Sequence, residues 1–346
     1  LRDTSITSIR GQYKRILEGG AILTDYIFEY ETQGDQSEAG YKLSFCVDPE
    51  SSLSSNVHVL IGRNGVGKTH LLNNMVKTLI NAPDKKGIFT ELSNDFFSGV
   101  ASVSYSAFDP FKPYENNQAS NDFRYSYIGL KKIIEGNIVL KNPDMLSDEF
   151  GTSIEHCFNT GKKEKWQKTI MCLNSDPIFL QLNLIELSNN FNKRQFIDKF
   201  KRLSSGHAIV LLTITKLIET IEEKTLVLLD EPEAHLHPPL QSAFIGALSY
   251  LLKNKNAVAI IATHSPVIIQ EVPSSCVWKL DRQGLEAKAE RFEIETFGES
   301  IGTLTRDIFG LEVYSSGFYK LLKEEVDNGK TLSQLMNKYD EQLGFE

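Results

Sequence analysis

Residues 62–69 read G-R-N-G-V-G-K-T, and this octet limits the possible folds more than any other part of the chain. Residues 57–61, V-H-V-L-I, precede it as a short β-branched run with buried-strand character. Residues 70–80 follow it with apolar side chains at helical spacing. Strand, glycine loop and helix in that order make a phosphate-binding P-loop. Gly62, Gly65 and Gly67 predict a backbone that turns its N–H groups inward around a phosphate. The helix start adds partial positive charge. Arg63, Asn64, Val66 and His70 complete the stretch expected to line the nucleotide. Lys68 offers a point charge to the β- and γ-phosphates, and Thr69 offers a hydroxyl to Mg²⁺. ATP and Mg²⁺ are therefore the expected cofactors.

A chain of 346 residues suits one large α/β domain or two lobes. Lys plus Arg is 37 and Asp plus Glu is 45, a net charge of −8, which argues against a surface wholly devoted to nucleic acid. Cys46, Cys157, Cys172 and Cys276 are scattered, so neither a zinc site nor a disulfide framework is expected, and a reduced, cytoplasmic setting fits. No apolar run reaches the length of a membrane span, and no signal peptide is visible.

Residues 21–30 and 41–47 read as strands around a loop over residues 32–40, an antiparallel hairpin ahead of the P-loop strand. One of its aromatics is a candidate for stacking on adenine, although core burial is the ordinary fate of such a side chain. Residues 81–100 are largely polar, with Phe89, Phe96 and Phe97 among them, and residues 100–106 read as a strand. Residues 112–200 carry no repeat and read as a mainly helical insertion, with helix fragments at 130–134 and 179–185. Its basic clusters, Lys162, Lys163 and Lys165, then Lys193, Arg194, Lys199, Lys201 and Arg202, are candidates for nucleic acid or a partner, against the ordinary reading of solvated faces. Buried strands recur at 225–229, 257–262 and 276–280, with a helix over 240–252 begun by Pro238 and Pro239. Strands alternating with helices imply a largely parallel sheet. The tail from residue 301 is helical in pattern. Three segments follow: an ATPase lobe with the P-loop over residues 1–111, the insertion over 112–200, and the remaining motifs with a helical C-terminus over 201–346.

Asp230 and Glu231 close an apolar strand, where the C-terminal edge of a parallel sheet meets a phosphate site. Asp230 is expected to hold Mg²⁺ through water, and Glu231 to polarise the attacking water. Residues 203–207, L-S-S-G-H, open a helix one element earlier. They resemble the ABC-type signature L-S-G-G-Q, with Ser205 and His207 as departures. The resemblance implies that Ser204, Ser205 and Gly206 cap the γ-phosphate held by the P-loop of a facing subunit, so the active unit is at least a dimer. His264, after the next strand, resembles the γ-phosphate-sensing switch histidine. It joins Glu231 and Lys68 as a catalytic candidate, while Thr69 and Asp230 are the metal candidates.

The run D-E-P-E-A-H-L-H-P over residues 230–238 resembles the soluble ATPases grouped with RecF-like and OLD-family proteins. Transporter ATPases carry an aspartate where His237 stands. His235 and His237 directly follow the carboxylates and are read as parts of the nucleotide site. No acidic cluster of the toprim kind follows His264, only isolated acids such as Asp281, Glu286 and Glu290. Residues 295–309 and 104–111 resemble the Septu anti-phage ATPases, including those encoded beside retrons. The fold implied is an ABC-type P-loop ATPase with a mainly parallel sheet, an N-terminal antiparallel β portion and a helical insertion lobe. The function implied is an ATPase subunit of an anti-phage defence complex. It would control a separate HNH-type nuclease and have no nuclease activity of its own. A nucleic acid or a retron RNA–DNA is a further candidate partner, and no membrane is involved. The nuclease would dock on the insertion lobe or on residues 317–346. The alternative is a RecF-like DNA-repair ATPase without a toxic partner. The usual Q-loop glutamine is missing after Val103, Ser104 and Tyr105, which leaves the second Mg²⁺ contact unassigned.

Overall fold

The computed structural model describes residues 25–32, 40–48, 51–91, 97–114, 123–284, 286–310 and 317–343. Residues 21–24 of the expected first strand, most of the loop after it and Phe96 lie outside them. The chain divides into two compact units, Leu1–Glu299 and Ser300–Glu346.

The first unit is built on two sheets. Strands β1 (Tyr26–Thr32) and β2 (Tyr41–Val47) pair antiparallel, and β4 (Ile88–Glu91) adds to the other edge of β1. In β2 burial alternates strictly, with Tyr41, Leu43, Phe45 and Val47 inward, because one face packs on the core while the other meets water. The central sheet combines β3 (Val57–Gly62), β5 (Gly99–Ser104), β6 (Arg124–Gly129), β9 (Thr225–Asp230), β10 (Val258–Thr263), β11 (Val277–Gln283) and β12 (Glu286–Arg291). Their order is β12-β11-β3-β10-β9-β5-β6. All neighbours are parallel except the edge pair β11 and β12. Strands covered on both faces read as unbroken apolar runs, and β3 and β10 are buried at every position. Helix α1 (Lys68–Leu79) lays Leu71, Leu72, Met75 and Val76 into the cluster formed by Leu60, Val100, Leu228, Ile260 and the inward face of β2. The architecture is that of a P-loop α/β fold, with a mainly parallel sheet, an antiparallel portion and added helices.

His58 is a local exception within β3. It is fully buried with its ring edge-on to Phe45 at 5.2 Å, and neither ring nitrogen has a hydrogen-bond partner among the described residues. Burial, with Arg291 adding to it, pushes its pKa down to about 3, so the ring is neutral.

Residues 130–134 are not helical, as the pattern L-K-K-I-I suggests. Instead β7 (Lys131–Ile134) pairs antiparallel with β8 (Asn137–Leu140). Glu135 and Gly136 both take positive φ between them, the geometry of a tight hairpin turn. The helical part of the insertion is α2 (Pro143–Asn159), α3 (Lys163–Met171), α4 (Pro177–Leu182), α5 (Leu184–Asn189) and α6 (Lys193–Phe200). The expected fragment over 179–185 is two helices, split where Asn183 turns left-handed at φ 48°. The lobe has its own core of Phe150, Ile154, Trp166, Phe179 and Phe196. Lysines of the basic clusters are engaged within the molecule. Lys162 donates to the Glu219 carbonyl and Lys199 to the Leu182 carbonyl, while Lys193 pairs with Glu155 and Lys201 with Asp144.

Helix α7 (Ser205–Thr220) joins the lobe to the sheet, and α8 (Pro238–Lys255) and α9 (Pro266–Ile269) follow β9 and β10. The second unit holds α10 (Ile301–Phe309), α11 (Gly317–Asp327) and α12 (Leu332–Lys338), the last with a Thr331/Gln334 capping box. Among the described residues no helix is long and apolar enough to cross a membrane.

Candidate functional site: a nucleotide cleft and a separate signature

At the C-terminal edge of the central sheet, a cleft of about 540 Å³ is lined by Asn64, Gly65, Val66, Gly67, Lys68, Thr69 and His70, with Tyr41, Glu231 and Arg282 opposite. Gly65 and Gly67 take φ of +85° and +96°, which an L side chain would strain. Gly62 has a different reason to be glycine: a Cβ there would stand 2.4 Å from the Leu280 carbonyl of β11. Strand proximity, rather than loop freedom, excludes a side chain at that position. Helix α1 has Gly67 at its N-cap and no side-chain cap, which leaves the N–H groups of its first turn without a side-chain acceptor. Lys68, nearly buried, donates to the carbonyls of Gly62 at 2.8 Å and Arg63 at 3.1 Å. Burial lowers its pKa, with Glu231, Asp230 and Glu233 pulling the other way.

Tyr41 is the hairpin aromatic that reaches the cleft. It is 6 % exposed and its hydroxyl donates to the Val66 carbonyl at 2.9 Å. That hydrogen bond ties β2 to the P-loop.

The strand ends of β9 and β10 bring in the carboxylates. Thr69 donates its hydroxyl to Asp230 Oδ1 at 3.1 Å, which ties the P-loop helix to β9. Burial pushes the Asp230 pKa up to about 7; the Thr69 hydrogen bond and Lys68 oppose that shift, while Glu231 and Asp109 add to it. A small recess of about 40 Å³ beside Thr69 and Asp230 is closed by Ser104 and Asp109. The recess is also lined by apolar and aromatic side chains, among them Leu72, Val76 and Leu228, so the Thr69 hydroxyl and the Asp230 carboxylate are the groups there that would hold Mg²⁺, a cation that takes one or two carboxylates and completes its shell with water and phosphate. When bound, the cation would balance charge on the phosphates and on these carboxylates.

Asp109 is a site residue that the motif reading leaves unassigned. Ser104, at the end of β5, donates to Asp109 Oδ2 at 3.1 Å, and the Phe111 N–H donates to Oδ1 at 2.8 Å. Lys131, also buried, stands 3.6 Å from Asp109 Oδ2 and donates to the carbonyls of Asp109 and Phe111. Asp109 thus stands four residues after Tyr105, in the stretch where the sequence lacks the usual Q-loop glutamine.

Glu231 sits in the left-handed region at φ 44°, a costly conformation for a side-chain-bearing residue, and its N–H donates to the Ala262 carbonyl at 2.8 Å. His264 Nδ1 stands 3.5 Å from Glu231 Oε1 and 3.3 Å from Glu233 Oε1. The hydrogen bond to His264 lowers the Glu231 pKa, and the same bond raises that of His264. Glu233, 6 % exposed, also accepts from the Thr263 hydroxyl at 2.5 Å and the His264 N–H at 3.0 Å. It holds the β10 strand end against the β9 strand end. The E-P-E spacing, two carboxylates flanking a proline, is the only sequence sign of that second role.

Ser204, Ser205 and Gly206 are not among the residues lining the cleft. They start α7 against the chain that leaves β9, where a Cβ on Gly206 would stand 2.5 Å from the His235 carbonyl. His235 and His237 also do not line the cleft, contrary to the expectation that they belong to the nucleotide site. His237 Nε2 lies 3.6 Å from Oδ2 of Asp176, a buried residue of the insertion lobe. The two residues after Glu233, Ala234 and His235, carry the chain away from the strand edge, and His235 turns left-handed at φ 71°.

Residues 89–270 match the family described as "AAA domain, putative AbiEii toxin, Type IV TA system". Protein ea59 of Escherichia phage lambda is 39 % identical over 376 aligned residues, covering 100 % of this chain and 71 % of that protein. The Septu protein PtuA of Bacillus mycoides (strain KBAB4) is 23 % identical over 370 residues, covering 93 % of this chain and 51 % of its own length. The chain thus spans about half of PtuA. Among solved structures, the ATP-binding cassette MJ1267 in its ADP conformation superposes with a TM-score of 0.45 at 16 % identity, covering 84 % of this chain and 99 % of the cassette. The SMC head domain from Thermotoga maritima gives 0.40 at 12 %, covering 78 % and 100 %. With a family match over more than half its length and a relative as near as ea59, the chain belongs to this AAA-domain ATPase family.

Proposed function

We propose that this chain binds and hydrolyses Mg-ATP at a site completed by a second copy of itself, and that it serves as the ATPase of an anti-phage defence complex with a separate HNH-type nuclease. The observation that carries the chemistry is the meeting of Thr69, Asp230, Glu231 and His264 at one sheet edge. Lys68 and the P-loop N–H groups hold the phosphates. Thr69 and Asp230 hold Mg²⁺. Glu231, oriented by His264, aligns the attacking water. Head-to-tail assembly is supported by the resemblance of residues 203–207 to the ABC-type signature together with the place of Ser204, Ser205 and Gly206 outside the cleft. The defence reading is supported by similarity to PtuA along 93 % of the chain. A nuclease surface is supported by α11, where Phe318, Leu321 and Val326 are exposed within one face of an amphipathic helix. The setting that fits is the cytoplasm.

Purified chain is expected to hydrolyse ATP while leaving plasmid, single-stranded DNA and RNA intact with Mg²⁺ or Mn²⁺. Robust cleavage by this chain alone, abolished by a substitution outside the ATP site, would overturn the two-component reading.

A further inference from the structure

Lys255 ends α8 and is 7 % exposed, yet its ammonium has no hydrogen-bond partner among the described residues. A lysine in the last turn of a helix ordinarily completes it by reaching a terminal carbonyl. Here the main chain takes that role. The Asn256 N–H donates to the Lys253 carbonyl at 3.3 Å, and the Ala257 N–H to the Leu252 carbonyl at 3.0 Å.

The Lys255 ammonium instead faces like charge. Lys162 stands at the N-cap of α3 and Lys165 in its first turn, and α3 packs against both α7 and α8. Lys162 is fixed at this corner by its bond of 2.6 Å to the Glu219 carbonyl near the end of α7. The Lys224 N–H donates to the Asn256 carbonyl at 3.2 Å, which lays the turn after α7 against the end of α8. Burial, with Lys165 and Lys162 adding to it, pushes the Lys255 pKa down to about 7, while Glu222 and Cys157 pull the other way. The carboxylates of the corner already have partners. Glu222 accepts Arg124 at 2.6 Å, and Glu219 accepts Lys216 at 2.8 Å and Ser153 at 2.5 Å. Like charges gathered in a poorly hydrated corner repel unless an anion joins them.

The corner lies away from the nucleotide. Arg124, Thr225 and Val258 begin the parallel strands β6, β9 and β10, so it stands at the sheet edge opposite the P-loop. It also gathers part of the first basic cluster of the insertion, which the ATPase site does not use.

We propose that Lys162, Lys165 and Lys255 form an oxyanion site at this edge, and that its ligand is a phosphate group. A phosphate carries more than one negative charge and has acceptor oxygens on every side, which suits ammonium groups converging from separate helices. A carboxylate carries a single charge and matches the planar fork of arginine better. Lys162 keeps its bond to the Glu219 carbonyl and has further N–H groups to offer. The phosphate of a nucleic-acid backbone and that of a small phosphorylated molecule satisfy the same donors.

The test uses the full chain carrying Lys68→Ala, so that the P-loop does not report phosphate. Titration calorimetry with inorganic phosphate should show a single site. Lys165→Glu and Lys255→Met should each weaken it at least about 10-fold, the scale of one hydrogen bond to a charged group. Urea unfolding without phosphate separates binding from folding. Lys255→Met replaces an unpaired buried charge with an apolar chain, so its midpoint should equal or exceed that of the parent chain. A large drop in the midpoint would make Lys255 a structural residue and remove it from the site. Anisotropy of labelled single-stranded and duplex DNA of about 20 nucleotides distinguishes the two sources. Binding that weakens with salt and with both substitutions assigns the backbone; phosphate binding without DNA binding assigns a small phosphorylated molecule. No phosphate bound, or an affinity that neither substitution changes, would sink the proposal.

Discussion

At the P-loop edge the candidate site is made of main-chain groups and strand ends; at the signature it is made of side chains lent by another lobe. Lys68, Thr69 and the P-loop N–H groups are fixed by the turn from β3 into α1, and Asp230 and Glu231 by the end of β9. Ser204, by contrast, is set by His207, which is set by Asp176, some 31 positions earlier than the histidine. The first construction tolerates no change in backbone but needs few helpers. The second can be adjusted by whatever moves the lobe.

The largest effects are expected at the first construction. Lys68→Ala removes the charge on the β- and γ-phosphates and should abolish measurable nucleotide binding. Glu231→Gln leaves Lys68, Thr69 and Asp230 in place, so it should bind ATP yet hydrolyse it at least about 100-fold more slowly. Equilibrium binding alongside steady-state turnover separates the two. Turnover by Glu231→Gln equal to that of the unsubstituted chain would take Glu231 out of its role.

Asp109 sharpens the comparison, because it belongs to the P-loop edge yet is held by side chains. Asp109→Asn keeps the shape but removes charge from the recess beside Thr69 and Asp230. It should raise the Mg²⁺ concentration for half-maximal ATPase by about 10-fold, the scale of an outer partner of a metal site. A Mg²⁺ titration checks this, and an unchanged midpoint would make Asp109 a structural residue tied to Lys131.

How legible these parts were follows the same division. The P-loop, β9 with its carboxylates and His264 each announce themselves within a few residues, since strand, turn and helix there are local. Asp109 did not, because Ser104 and Lys131 give it meaning and the pair is made only by the fold. Asp176 reads as an ordinary N-cap before Pro177, which it also is. The β7 hairpin is hidden in the sequence because its four residues carry two lysines in a row, and only the positive φ of Glu135 and Gly136 reveals the turn. His235 and His237 stand close in sequence to the strand-end carboxylates, yet neither lines the cleft.

The smallest effect concerns the frame beneath the P-loop. His58 has a pKa of about 3 in the fold, below its unfolded value, so the unfolded chain binds a proton that the native chain does not. The stability it contributes is complete above the unfolded value and is lost as pH falls from about 6.5 towards about 3. Between about pH 7 and about pH 5 the unsubstituted chain should lose about 1–2 kcal/mol more than His58→Leu, a difference that urea unfolding at the two values measures. Equal losses would mean that His58 is not held neutral.

The central claim is that each ATP site takes its P-loop from one copy and its signature from the other. Heterodimers pairing a Lys68→Ala chain with a Ser204→Arg chain test it most directly. One of their two sites keeps both an intact P-loop and an intact signature, so verified heterodimers should recover up to about half the ATPase of the unsubstituted dimer while each single-variant homodimer stays inactive. Verified heterodimers as inactive as the homodimers would contradict it.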